Sequence, residues 1–167
     1  GYCDYQNDKN RWDFSPLDAS LNVLSFKDTE DGSEYYFKLC SELSANDVKR
    51  QDFTSIQPQT LMVRCDSTRC DEVLYHTDMM YRPLSTFSAE AGLVMYGDGP
   101  LNRYEGYNNY TVYSLEYRFK CNHDYPGTQP KQTTEIVKTA FNKKIRVNFE
   151  SEYGCLKTGT NTPTPTP

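Results

Sequence analysis

Residues 110–121 read YTVYSLEYRFKC. From Tyr113 onward the stretch alternates: Tyr113, Leu115, Tyr117, Phe119 and Cys121 share one parity, and Ser114, Glu116, Arg118 and Lys120 share the other. A period of two describes a β-strand with one apolar, mainly aromatic face and one wet face. No helical period competes with it, and Cys121 closes the buried parity. The expectation is a central antiparallel strand tied by a disulfide to a later one.

Composition agrees with a sheet protein of an oxidising compartment. The chain has 167 residues, enough for one full core, with six cysteines and 14 tyrosines. Mean hydropathy is -0.79. The cysteines fall at 3, 40, 65, 70, 121 and 155, an irregular spacing that suits disulfides. Cys65 and Cys70 lie close together in CDSTRC with no histidine beside them, so a short staple across a turn is expected and a structural zinc site is not. A net charge of -5 offers no basic stripe for nucleic acid. The sequence contains no apolar run long enough to span a bilayer.

Outward from the central stretch, the N-terminal residues 1–11 read as a polar loop held by Cys3, and Trp12 as a packing anchor before a Ser-Pro turn. LNVLSF at 21–26 and YYFKLC at 35–40 read as a strand pair around an acidic loop with the Asp31-Gly32 turn signal. The acidic residues of that loop lack an EF-hand's length and closing glutamate, and read as solvated turn charge. Ser44 with Asp47 three residues on marks one short helix. TLMVRC (60–65), DSTR and CDEVLYHT (70–77) form a hairpin, with His76 at the surface. Residues 78–91 read as a loop-rich connection carrying an apolar patch of Met79, Met80 and Tyr81, a candidate partner surface. GLVMY (92–96) is a short strand ended by the turn GDGP. Asn109 opens the sequon Asn-Tyr-Thr, a glycosylation acceptor. Near the end, Ile145, Val147 and Phe149 share one strand face. The domain is expected to span residues 1–157, with the Thr/Pro-rich residues 158–167 forming an extended stalk or linker. No spacing of nucleophile, base or phosphate loop singles out an enzyme, and neither cofactor nor metal is expected.

The ordered motifs resemble the mannose 6-phosphate receptor homology family. The resemblance rests on Cys3, WDFSPL (12–17), the hairpin ending YYFKLC with Leu43 beyond, GLVMYGDG (92–99), YRFKC (117–121) and the alternating strand before Cys155. It implies an all-β, disulfide-stapled fold, a flattened β-barrel or sandwich of two antiparallel sheets, with Cys3–Cys40 and Cys121–Cys155 bridges. The family's mannose site uses glutamine, arginine, glutamate and tyrosine. Here Tyr113 stands at the arginine position, Ile145 at the tyrosine position and Asp66 near the glutamine position, while Glu135 keeps the glutamate offset. The cysteine expected near Asn108 is absent, and Lys143 stands where another is expected.

Isoleucine supplies no hydroxyl and tyrosine no guanidinium fork, so mannose recognition of the family kind is not expected. The sequence therefore suggests a non-catalytic, extracellular or luminal binding module with a protein partner, within a larger anchored or fibrous protein. The second ligand class is a glycan held in a rearranged site, with Tyr104, Tyr107 and Tyr113 stacking and Glu135 and Asp66 accepting hydroxyl bonds.

Overall fold

The computed structural model describes residues 3–104 and 109–157, the side chains of 101–104 and 109–110 excepted. The chain folds as eleven strands in three sheets, with one short α-helix and a few 3-10 turns among the described residues. Strands β1 (Asp4–Asn7) and β2 (Asn10–Asp13) pair as a small hairpin where the sequence reads as a loop. Helix α1 (Ser15–Leu21) follows, with Pro16 in the first turn, where its missing N–H costs nothing. The Asp13 carboxylate accepts the backbone N–H and hydroxyl of Ser15, which turns the expected Ser-Pro bend into the start of this helix.

The second sheet runs β3 (Leu24–Lys27), β4 (Glu34–Phe37), β5 (Thr60–Cys65) and β6 (Cys70–Tyr75), antiparallel throughout. The third has the order β10-β11-β9-β8-β7, built from β7 (Met79–Pro83), β8 (Gly92–Tyr104), β9 (Asn109–Cys121), β10 (Lys131–Lys138) and β11 (Asn142–Ser151). Strand β11 lies parallel to β9 and separates it from β10, so this sheet is mixed. The expected barrel of two antiparallel sheets is thus corrected on each count. Among the described residues there are three sheets, one contains a parallel pair, and none closes, since β7, β10, β3 and β6 remain edges.

The two larger sheets share one core. From β9 it takes Tyr113, Leu115, Tyr117 and Phe119, the inward parity read from the sequence, and from β11 Ile145, Val147 and Phe149. Trp12, Phe14, Tyr35, Phe37 and Met62 meet them from the other side. Phe119 stacks between Phe14 and Phe149 at ring-centre distances of 4.4 and 5.1 Å. Aromatic pairs of this kind add about 0.5–1.5 kcal/mol beyond the area they bury. Three disulfides staple the fold: Cys3–Cys40, Cys65–Cys70 across the β5–β6 turn, and Cys121–Cys155 between the end of β9 and the segment after β11.

Three local readings change. GDGP does not end β8; it forms an irregularity between Asp98 and Leu101, and the strand continues to Tyr104. Gly99 is required there, because a Cβ would fall 2.0 Å from the Val73 carbonyl oxygen. Residues 79–83 form the edge strand β7 and not a loop, and His76 is buried in the 3-10 turn before it.

A second hydrophobic cluster covers the outer side of the four-stranded sheet. Leu43, Val48, Phe53 and Ile56, from the connection between β4 and β5, pack there on Tyr36, Val63 and Cys65. The outer side of the five-stranded sheet carries no such cluster among the described residues.

Candidate functional site

The strand registers assemble the outer face of the five-stranded sheet residue by residue. Met80 of β7 stands opposite Tyr96 of β8, Tyr96 opposite Glu116 of β9, Glu116 opposite Arg146 of β11, and Arg146 opposite Glu135 of β10. At about 4.8 Å per strand this row spans roughly 19 Å. The next row runs Arg82, Val94, Arg118, Asn148 and Thr133, and the row on the other side contains Asp98, Ser114, Lys144 and Val137. Two sequence-predicted candidates from opposite ends of the sheet, Met80 and Glu135, thus share one row. Met80 is 56% exposed, whereas Met79 and Tyr81 turn inward onto the core, with Tyr81 stacked on Tyr5 at 4.6 Å. Only Met80 of the predicted triplet faces outward from the strand.

Glu116 is the centre. It sits on the parity read as wet, yet its side chain is only 4% exposed because four cations cover it. Arg82 and Arg118 approach Oε1 at 3.8 Å each, and Lys144 and Arg146 approach Oε2 at 3.5 and 3.4 Å. Arg146 also reaches Glu135 at 3.3 Å. The Arg82 guanidinium lies 5.5 Å from the Tyr96 ring centre, in cation–π range. Beside this row, Ser114 donates to Asp98 and accepts from the Asn142 side-chain amide. A cavity of about 280 Å³ opens here, lined by Arg82, Tyr96, Asp98, Glu116 and Lys144 among others. None of these cations was singled out from the sequence. The available signal was a charged residue on every wet-parity position of β9 from Glu116 onward, together with Arg82 flanking the Met-Met-Tyr triplet.

The other predicted ligand residues go elsewhere. Tyr113 is 1% exposed, beside Tyr35 in the core, with the Arg64 guanidinium 5.4 Å from its ring centre. Arg64 is itself buried, on the inward parity with Met62, and pairs with Asp31 at 3.3 Å and Asp66 at 3.4 Å. Asp66 is occupied by its own turn: its Oδ1 accepts the hydroxyl of Thr68 and the backbone N–H groups of Thr68 and Arg69. The Thr68 hydroxyl first, then the two amides, hold its carboxyl at a pKa of about 2. Asp66 and Tyr113 are therefore brought together through Arg64, while Glu135 lies on the outer face of the five-stranded sheet. The side chains of Tyr104, Tyr107 and Asn109, and residues 158–167, lie outside the described residues.

The acidic β3–β4 loop is not merely solvated charge. Lys138 contacts Asp28 at 2.8 Å and Glu30 at 2.5 Å, and Lys143 contacts Asp31 at 3.1 Å, so the β10–β11 hairpin grips this loop. Among the described residues one cluster has metal-ligand proximity, Cys121, His123 and Cys155. Both of its sulfurs are joined in the Cys121–Cys155 bridge and supply no thiolate.

No protein-family model matches this chain, and no curated protein sequence matches it. The mannose 6-phosphate receptor homology family is accordingly not assigned to it, and its barrel is absent from the fold. The three disulfides are those of a protein that matures in an oxidising environment such as the secretory pathway or the cell exterior. No helix among the described residues is long and apolar enough to cross a membrane.

Proposed function

We propose that this domain is a non-catalytic binding module that docks a protein partner on the outer face of its five-stranded sheet. The observation that carries the reading is an asymmetry between the two large sheets. The four-stranded sheet has its outer side roofed by the 43–56 segment, whereas the other presents Met80, Tyr96 and an arginine-rich polar row. Arginine, tyrosine and methionine are the residue types enriched at interfaces, and arginine and tyrosine among the anchors that carry binding energy. Protein is favoured over glycan as the ligand because Tyr113 is buried and Asp66 is engaged by Arg64 and its own turn. The sequon at Asn109 and the Thr/Pro-rich 158–167 segment favour a module within a larger anchored or fibrous extracellular protein.

A photo-crosslinking amino acid at position 80 or 96, expressed in the native compartment, tests the docking face. Each is expected to capture one discrete protein that the same group at Lys49, near the roofed sheet, does not. Equal capture from all three sites refutes the reading. So does selective mannose binding on a glycan array that Glu135→Gln abolishes.

A further inference from the structure

The cation cluster specifies the chemistry of what docks. Four positive side chains converge on Glu116, two at each oxygen. Arg146 divides itself between Glu116 and Glu135. For Arg82, Arg118 and Lys144, Glu116 is the only carboxylate within ion-pair distance among the described residues. A carboxylate offers about four acceptor positions, whereas an arginine carries five N–H donors and a lysine three. Most donors of this cluster therefore have no acceptor on Glu116. The side chains that carry them are 48%, 37% and 33% exposed for Arg82, Arg118 and Lys144, so they face solvent.

The chain carries a net charge of -5, yet here four cations, Arg82, Arg118, Lys144 and Arg146, outnumber the carboxylates Glu116, Glu135 and Asp98. Glu116 also fixes where the surplus sits. By holding Arg82 and Arg118 within 3.8 Å of one oxygen, it brings two guanidiniums from non-adjacent strands into reach of a common anion. The ordering of these long side chains is thus met on folding and not on binding. Around them Tyr96 lies under Arg82, Val94 is covered between Arg82 and Arg118, and Met80 stands at the end of the neighbouring row, while the nearby Asp98 and Glu135 carboxylates are engaged by Ser114 and Arg146.

We infer that the partner presents an acidic segment, whose Asp or Glu carboxylates seat among Arg82, Arg118 and Lys144 and whose apolar side chains rest on Met80 and Tyr96. Guanidinium pairs suit carboxylates through parallel N–H bonds, and the Met80–Tyr96 shelf favours a peptide with apolar side chains over a uniformly sulfated polymer. The inference rests on the docking face proposed above and adds the chemical class of its occupant.

The probes are a fluorescent ten-residue peptide of alternating glutamate and leucine, its lysine counterpart and a heparin-derived hexasaccharide, each titrated against the intact domain at 20 and 200 mM salt. The acidic peptide is expected to bind. Its affinity should fall at least tenfold with Arg82→Glu/Arg118→Glu, fall several-fold at the higher salt, and stay unchanged with Arg69→Glu in the β5–β6 turn. A circular dichroism spectrum matching wild type keeps the double variant informative, and Arg82→Gln/Arg118→Gln, which adds no charge, is expected to weaken binding in the same direction. The inference is overturned if the acidic peptide fails to bind at 20 mM salt, binds both double variants as wild type, or is outbound by the hexasaccharide. A partner crosslinked from positions 80 and 96 whose binding ignores salt and charge reversal refutes this inference while leaving the docking face intact. Peptide binding without any such crosslink refutes the docking face instead.

Discussion

Replacing Glu116 by glutamine removes one charge, keeps the shape, and leaves four cations facing one another. At 3.4–3.8 Å each pair has a gross attraction of roughly 4 kcal/mol at an effective dielectric near 20. Three effects reduce the net figure. The cations are a quarter to a half exposed, they repel each other already, and the carboxylate gave up its hydration to be covered. Removing one partner from a fully buried pair costs about 3–5 kcal/mol, and for this half-exposed set we expect about 2 kcal/mol. For a chain of this length that lowers Tm by about 4–8 °C. Thermal unfolding followed by circular dichroism at low salt reads the shift directly. In 1 M salt, with a screening length near 3 Å, the difference should shrink to under about 1 kcal/mol. A variant as stable as wild type at low salt, or a loss that ignores salt, would refute the view that Glu116 organises the cation cluster.

Three further outcomes are expected. Gly92→Ala should cost at least about 2 kcal/mol in chemical denaturation, since its φ is +145° and the new Cβ would lie 1.9 Å from the Phe119 carbonyl oxygen; a neutral variant would contradict that backbone path. Replacing the Cys65–Cys70 pair by serines should cost about 2 kcal/mol and the Cys3–Cys40 pair about 4 kcal/mol, because the closed loops span 5 and 37 residues; the reverse order in denaturant midpoints would sink the entropic account. Burial holds the His76 imidazole below its ordinary pKa, so the unfolded chain takes up this proton more readily than the fold. The stability it contributes is complete above about pH 7 and is lost as pH falls below the ordinary value near 6.5. Tm measured from pH 7 to 5.5 should drop more in wild type than in His76→Gln, and parallel curves would disprove it.

The residues explain which features a sequence reading reaches. Flanking cysteines placed β5 to the residue and the start of β6, whose end at Tyr75 falls two residues before the expected one, and the inward parity of β9 was plain because five consecutive odd positions are apolar, aromatic or cysteine. Pairing with β9, which resumes at Leu101 after the irregularity, overrode the turn chemistry of GDGP, so β8 runs through it. Strand β7 escaped notice because five residues ending in Pro83 make a weak signal, and proline is tolerated on an edge. The central placement of β11 has no local signature at all, since it depends on which strand fills the slot beside β9. The site was half legible for the same reason. Met80 and Glu135 were visible as residues, but Glu116 became a buried centre only through cations supplied by β7, β9 and β11.

The placement of β11 also sets an order of events during synthesis. Among the described residues it follows every other strand, yet it fills the slot between β9 and β10. Until residues 142–151 have been made, β9 has an open edge, β10 has no neighbour in the sheet, and Cys121 waits for Cys155. The growing chain therefore shows an unfilled strand edge and a reactive thiol side by side, the features that chaperones and thiol oxidants meet. Closing Cys121–Cys155 joins the end of β9 to the segment after β11, so oxidation of this pair secures the last strand once it is inserted. A ribosome that stops before residue 142 leaves a product whose five-stranded sheet lacks the strand between β9 and β10.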